Sequence, residues 1–272
     1  MKIDHPPVLI RGGGDLATGV AARLHRSGFA VVVTEIAQPL AVRRLVALAE
    51  AVYAGEVEIE DLRGRHVDGQ QETLQALSEG IIPVLVDPEA QARSALDPFA
   101  VVDARMLKRP QPLALSEKPF VIGLGPGFTA GENCHAVVET KRGHTLGRVL
   151  WNGSAETDTG IPGQVSGHAA ERVLRAPAAG EVLGHAALGS IVKQGDRVAT
   201  VGREDLAAPF DGALRGLLHD GVWVAKGAKV GDVDPRGQRA HCFLISDKSL
   251  AIGGAVLEAL LSQSAIRQAL GA

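Results

Sequence analysis

The sequence predicts an α/β protein in two parts, a mainly parallel sheet with helical crossovers followed by an all-β part. Three observations predict it: a strand, glycine turn, helix and strand over residues 8–34, a continued alternation of strand-like and helix-like stretches, and a gapless internal repeat between 176 and 233. The chain has 272 residues, 46% hydrophobic and 22% charged, enough for one large core or two modest ones, which excludes a disordered or fibrous chain. Aromatics are only 3% while Gly numbers 33, so the interior is built from Val, Leu, Ile and Ala and the backbone turns often. With 28 Lys plus Arg against 31 Asp plus Glu, no diffuse basic field exists for bulk nucleic-acid binding.

Val8-Leu9-Ile10 is a short apolar run that meets Gly12-Gly13-Gly14, and Leu16, Val20 and Leu24 then recur on one helical face until Gly28. The second strand, Ala30 to Thr34, contains Val31-Val32-Val33, a composition suited to burial on both faces. Gly12-x-Gly14-x-x-Ala17 matches the dinucleotide-binding pattern of a Rossmann-like unit. In that reading Gly12 permits the sharp turn, Gly14 lets the backbone approach a pyrophosphate, and Gly13, Asp15 and Leu16 complete the loop over the positive end of the helix. Glu35, ending the second strand, stands where such folds place the acid that accepts a ribose hydroxyl. The alternative is a tight turn with Asp15 as a helix cap. Asp15 repels anions, and Arg11 or Arg43-Arg44 are candidates to offset it.

Leu40 to Val52 reads as an amphipathic helix, Glu72 to Ser78 as another, Pro83 to Val86 as a strand, and Val101-Val102 leads into Asp103-Ala104-Arg105. Phe120 to Phe128 is a strand entering a Gly/Pro turn, and Ala136 to Thr140 is a further strand. The polar stretch from Lys141 to Gly163 reads as a functional loop, with Lys141, Arg142, His144 and Arg148 as candidate anion contacts.

The repeat has a constant offset of 32: Ala176-Pro177 corresponds to Ala208-Pro209, and Gly180, Gly184, Gly189, Val192, Gly195, Val198 and Val201 correspond to Gly212, Gly216, Gly221, Val224, Gly227, Val230 and Val233. This stretch, about Arg175 to Asp234, resembles the biotinyl/lipoyl carrier fold, the barrel-sandwich hybrid. That family carries its attachment lysine on the hairpin between the halves. Here the hairpin is Gly202-Arg203-Glu204-Asp205-Leu206, so no biotin or lipoate attachment is expected.

Phe243-Leu244-Ile245 reads as a strand, Ser246-Asp247-Lys248 as a polar turn with ligand-contact potential, and 251–261 as an apolar helix. Gly253-Gly254 inside that helix costs about 1 kcal/mol each relative to Ala, which implies a close neighbour. Cys134 and Cys242 are too few for a disulfide framework and point to a reducing, cytoplasmic setting. The nine His lack shared-face spacing, so no metal site is expected. No segment approaches the about 18 apolar residues that span a bilayer, and no membrane association is expected.

Together these segments resemble the YqeB family of the selenium-dependent molybdenum hydroxylase system over almost the whole chain. The matching stretches include Arg11 to Gly19, Pro39 to Tyr53, Gly123 to Phe128, Glu139 to Gly147, Arg172 to Pro177 and Ser246 to Gly254. The resemblance implies an accessory protein in maturation of molybdenum hydroxylases, binding NAD(P) or a molybdopterin dinucleotide and meeting a molybdenum hydroxylase or its cofactor-maturation proteins as partner. Chalcogen transfer would need a cysteine, for which Cys242 is the weak catalytic candidate. An NAD(P)-dependent oxidoreductase and a non-catalytic docking module are the alternatives, and a homo-oligomer is left open. The expected divisions are 1–170, Rossmann-like with a β-rich loop; 171–236, the barrel-sandwich hybrid; and 237–272, a strand and helix packing back on the first part.

Overall fold

The structure, a computed structural model, describes residues 5–109, 119–158 and 171–271. Its described residues form two compact units. The first takes the chain up to Pro39, from Leu48 to Asp158 and from Ile245 onward; the second takes Leu40–Ala47 and the later chain as far as Leu244. The expected division thus shifts at two places: residues 40–47 lie in the second unit, and so do residues 237–244.

The first unit contains β1 (Val8–Arg11), α1 (Asp15–Arg26), β2 (Val31–Glu35), α2 (Ala51–Ala54), β3 (Glu56–Ile59), β4 (Leu62–His66), α3 (Gly69–Ser78), β5 (Ile82–Val86), α4 (Arg93–Leu96) and β6 (Ala100–Asp103). It continues with β7 (Phe120–Leu124), β8 (Thr129–Ala130), β9 (Ala136–Val138), β10 (Val149–Leu150) and β11 (Gly153–Ser154). Nine strands make one sheet in the order β10-β9-β7-β6-β1-β2-β5-β4-β3. β1 is central and parallel to both neighbours, pairing Leu9 with Val32 and with Val101. Its Val8, Leu9 and Ile10 are fully buried, as expected for a strand covered on both faces. On one face Leu9, Val32 and Val101 pack with Ala76, Ile81 and Leu85.

The second unit contains β12 (Val173–Arg175), β13 (Gly180–Gly184), β14 (Ile191–Val192), β15 (Arg197–Val201), β16 (Glu204–Ala207), β17 (Gly212–Leu217), β18 (Trp223–Val224) and β19 (Lys229–Asp234). They form two four-stranded antiparallel sheets, β12-β19-β17-β14 and β16-β15-β13-β18. β13, β14 and β15 start at 180, 191 and 197, and β17, β18 and β19 start at 212, 223 and 229, the same spacing of 32. The chain then returns to the first unit for α5 (Asp247–Leu261) and α6 (Ser264–Ala269).

The expected fold class is corrected by this topology. The large sheet is mixed, because β3 and β10 are antiparallel to their neighbours and close both edges. After β2 the connections are 3-10 turns, the β3–β4 hairpin, the single-turn α2 and α4 and one regular crossover helix, α3, where a Rossmann-like doubly wound sheet has a regular helix at every crossover. The second unit is two small antiparallel sheets, in which β14 and β18 are only two residues long, and it is not assigned as a biotinyl/lipoyl-like barrel-sandwich hybrid.

Two local expectations change as well. The apolar spacing of Leu40 to Val52 yields 3-10 turns at Arg44–Val46 and Leu48–Glu50, because the Val42 carbonyl is used by the Leu217 N–H at 2.9 Å within the second unit. Phe243-Leu244-Ile245 is no strand; a 3-10 helix, Arg239–Cys242, precedes it. Gly253 does approach a neighbour closely, but that neighbour is α1: a Cβ there would overlap the Gly19 carbonyl, whereas Gly254 faces open space. Among the described residues no helix is long and apolar enough to cross a membrane.

Candidate functional site

The glycine turn follows β1 directly. Gly12 has φ +89° and donates its N–H to the Thr34 carbonyl at 2.7 Å, and a Cβ on it would sit 3.3 Å from Arg105 Cα. A Cβ on Gly13 would come within 2.8 Å of the Ala49 nitrogen, whereas Gly14 faces open space. The Gly13 N–H donates to Glu35 Oε2 at 2.8 Å, and the Ile36 N–H donates to Glu35 Oε1 at 2.8 Å. Glu35 therefore serves as an internal anion for the turn, and both its oxygens are engaged where a ribose contact was expected. Gly14, the N-cap of α1, has no side chain to accept from the first-turn amides.

The same α1 lies against α5 through paired glycines: a Cβ on Gly19 would overlap Ser249, and one on Gly253 would overlap the Gly19 backbone. This close packing brings the first turns of the two helices together. Ser246 caps α5 by accepting from the Ser249 N–H at 3.1 Å, so the expected polar turn is the helix start itself. Asp247 receives both guanidinium nitrogens of Arg142 at 2.8 Å each. Lys248 is half-buried and makes no hydrogen bond or ion pair among the described residues. Burial first, then the charges of Arg142 and Lys108, push its pKa down, against the opposing pull of Asp15 and Glu139. A lysine in the first turn of a helix also sits at the unfavourable, positive end of the dipole.

The rim is built from the segment after β9. Glu139 is buried and accepts from the Lys141 and Glu156 N–H groups at 2.7 Å each, which fixes the loop's path. Lys141 pairs with Glu156 at 2.6 Å, and Lys108 pairs with Asp158 at 2.8 Å. On the other side of Gly12, Arg11 is 9% exposed, donates to the Pro88 carbonyl at 2.9 Å and lies 3.7 Å from Asp103, whose carboxylate is held more closely by Arg105 at 2.5 Å.

Of the residues singled out from sequence, Gly12, Gly13, Gly14, Asp15, Leu16, Glu35, Arg142, Ser246, Asp247 and Lys248 gather at this end of the first unit. Arg43 and Arg44 do not join them. They belong to the second unit, where Arg43 donates to the His241 and Leu244 carbonyls at 3.2 Å and Arg44 to the Leu217 carbonyl at 2.8 Å. His144 and Arg148 are exposed. Residues 159–163 of the expected loop lie outside the described residues. Cys242 is wholly buried in the second unit and burial pushes its thiol pKa up, the opposite of an activated nucleophile. Glu139, Lys108 and Asp103 were not singled out as site residues; an acid directly after an apolar strand was the available signal for Glu139 and Asp103, and Lys108 had none. Among the described residues no three His, Cys, Asp or Glu side chains are grouped to hold a metal ion.

In sequence the chain is 46% identical over 265 residues to the uncharacterized protein YqeB of Escherichia coli K12, covering 96% of this chain and 49% of that protein. The resemblance to the YqeB family thus holds over nearly the whole chain, which spans about half the length of that relative. No family model matches. Among solved structures, it is similar to an aspartoacylase family protein from Mesorhizobium loti, at 13% identity over 84% of this chain and 85% of that one, with a TM-score of 0.28. EutE, the ectoine utilization protein of Ruegeria pomeroyi, gives 11% identity, 84% and 85% coverage and a TM-score of 0.26. A succinylglutamate desuccinylase from Silicibacter sp. TM1040 gives 10% identity, 84% coverage of both chains and a TM-score of 0.25.

These titles correct the expected function. They name neither a maturation protein for molybdenum hydroxylases nor an NAD(P)-dependent oxidoreductase nor a docking module, and none of those readings is carried forward. Likenesses this weak assign no activity to this chain either.

Proposed function

We propose that the first unit binds a small molecule bearing a phosphate or carboxylate group between the first turns of α1 and α5, with Lys248 as the charged contact. The observation that carries the reading is Lys248 itself, a half-buried ammonium with no hydrogen bond or ion pair, set beside an α1 terminus that has no side-chain cap. A half-buried cation without an acceptor has lost part of its hydration, and an anion placed there offsets that loss. One charge-assisted hydrogen bond contributes about 1.5–3 kcal/mol, and a helix N-terminus adds about 0.3–1 kcal/mol. The open space beyond Gly14 leaves room for the ligand's approach. NAD(P) and a molybdopterin dinucleotide carry such anionic groups, but with Glu35 closed on Gly13 and Ile36 we expect the anion, and not a ribose, to supply the affinity.

Calorimetric titration with inorganic phosphate, pyrophosphate, NAD and NADP tests the reading. At least one should bind with a Kd below about 1 mM, tighter than about −4 kcal/mol. Lys248→Met should weaken that binding at least tenfold, about 1.4 kcal/mol. Gly14→Asp should abolish it without harming the fold, since Asp suits an N-cap with extended backbone and its side chain would meet open space. Absence of binding by all four ligands, or full binding by both variants, defeats the reading.

A further inference from the structure

The 32-residue repeat gives the second unit two equivalent outer sheet faces, and the chain treats them differently. On the sheet β12-β19-β17-β14 that face carries Arg215 on β17 with Asp232 and Asp234 on β19, each aspartate only 1% exposed. The 3-10 helix Arg239–Cys242 packs on β17 and brings Cys242 within electrostatic reach of all three, so the chain covers this face itself. An offset of 32 places Leu183 of β13 where Arg215 stands and Thr200 of β15 where Asp232 stands. On that second face the large side chains stay in solvent.

The strand register fixes which side chains share it. Glu181 lies opposite Trp223 of β18, Leu183 opposite Thr200, and Thr200 opposite Asp205 of β16. Val182, the alternate residue of β13, is buried, so Glu181 and Leu183 point outward. Leu183 is 51% exposed and Trp223 62%, and the two are diagonal neighbours at about 7–8 Å, within reach of an indole ring.

Charge is divided between the two ends of this face. The Glu181 carboxylate, beside Trp223, makes no ion pair among the described residues. Arg197, toward the other end of β15, holds Asp205 only at 3.5 Å with both side chains more than half exposed, a contact of little worth. An acid at one end, a base at the other and an aliphatic side chain between them form a self-complementary pattern, which a second copy of the same face answers at every point.

We infer that this face is the interface of a homodimer, in which a second copy of the chain covers Trp223 and Leu183. About a twofold axis passing by Leu183, Glu181 meets the partner's Arg197 and Arg197 meets the partner's Glu181, while Leu183 packs on the partner's Leu183. The incoming guanidinium also lies over the Trp223 ring, a cation–π contact. The second copy takes here the place that Arg239–Cys242 takes on the equivalent face, and nothing in the pairing depends on the anion site of the first unit.

Sedimentation equilibrium of the full chain tests the interface, with circular dichroism to show that each variant is folded. The chain should be dimeric at about 100 μM, and in a Trp151→Phe background the Trp223 emission should move to shorter wavelength as the dimer forms. Leu183→Glu should be monomeric at that concentration. Glu181→Arg and Arg197→Glu should each weaken the dimer at least about tenfold, because each sets like charges together at two places. The double variant should recover an affinity within about threefold of the wild type.

A wild-type chain that is monomeric at about 100 μM overturns the inference. If Trp223 nevertheless emits as a covered ring, the face has another occupant, and the homodimer is still rejected. A dimer that Leu183→Glu leaves intact uses a different surface and overturns it as well. Failure of the double variant to recover, with both single variants weakened and folded, rejects the pairing of Glu181 with the partner's Arg197 and with it this interface.

Discussion

Each unit holds a buried aspartate at the end of a strand, and in each the arginine two residues on closes back onto it. In the first unit these are Asp103 and Arg105, where Nε and Nη2 reach the carboxylate at 2.9 and 2.5 Å. In the second they are Asp234 and Arg236, with the corresponding bonds at 2.9 and 2.6 Å. The clusters differ in how completely the remaining charges are matched. Around Asp234 a second acid, Asp232, lets each of three guanidiniums find a carboxylate: Arg172 at 2.7 Å, Arg215 at 2.5 Å and Arg236 at 2.6 Å. Around Asp103, among the described residues, one aspartate faces two guanidiniums, with Arg105 at 2.5 Å and Arg11 left at 3.7 Å, while a buried Nε without a hydrogen-bond partner occurs in both clusters, on Arg11 and on Arg172. The same Asp-x-Arg closure therefore gives a matched ionic lock in one unit and an under-matched one in the other, the latter at the strand end that leads into the glycine turn.

Substituting the bridging arginine should break the comparison most visibly. Arg215→Met leaves Asp232 and Asp234 buried with too few partners and should destabilise the second unit by about 3–5 kcal/mol. The sequence has two tryptophans, Trp151 in the first unit and Trp223 in the second, so Trp223 fluorescence during urea unfolding of a Trp151→Phe background isolates that loss. A cost under about 1 kcal/mol would remove the distinction between the clusters.

A smaller effect is expected from acid. Burial alone would raise the Asp234 pKa, but Arg236, through its side chain and backbone N–H, and Arg215 override it and hold the group at about 2. Because the folded value is depressed, the stabilisation is present above the ordinary carboxylate range and is lost as pH falls through about 4 to about 2. It amounts to about 2 kcal/mol. Denaturation midpoints of the second unit should decline over that window, and Asp234→Asn should flatten the decline.

The smallest effect belongs to Arg11→Met. The arginine is pushed below its usual pKa by burial and then by Arg105, so exchanging it for a similar-sized apolar chain should change stability by no more than about 1 kcal/mol, in either direction. A loss of about 3 kcal/mol or more would mean that the long contact to Asp103 is as strong as those in the second unit.

The β1–α1–β2 succession was legible because its apolar run, glycine turn and helical spacing agree with the local chain, and β1 and β2 pair with each other within about thirty residues. The stretch from Leu40 to Val52 was not, although its apolar spacing is helical. Val42, Arg43 and Arg44 answer to carbonyls and N–H groups near residues 217 and 241–244, and no local pattern reports so distant a partner. The site shows the same divide. Gly12–Gly14 and Ser246–Lys248 were visible as turns, and Gly253 as a position needing a close neighbour. That Gly253 meets Gly19, and thereby brings Lys248 to the head of α1, depends on two helices more than 200 residues apart in the chain. Glu35 was placed correctly at its strand end, but its engagement by the Gly13 N–H is a matter of rotamer and not of position.

The segment Leu40–Ala47 also sets a timetable. It belongs to the second unit, yet the Leu217 N–H that pairs with the Val42 carbonyl is made 175 residues later. At about 5–20 residues per second, a newly made chain carries residues 40–47 for about 10–35 s before their partners exist. Throughout that interval the first unit's strands on either side are already free to pair, so the nascent protein must keep an eight-residue loop open while the sheet around it forms. A fragment spanning only 171–244 would lack this piece altogether, and supplying it as a peptide is the natural way to ask how far the second unit's order of assembly depends on having waited.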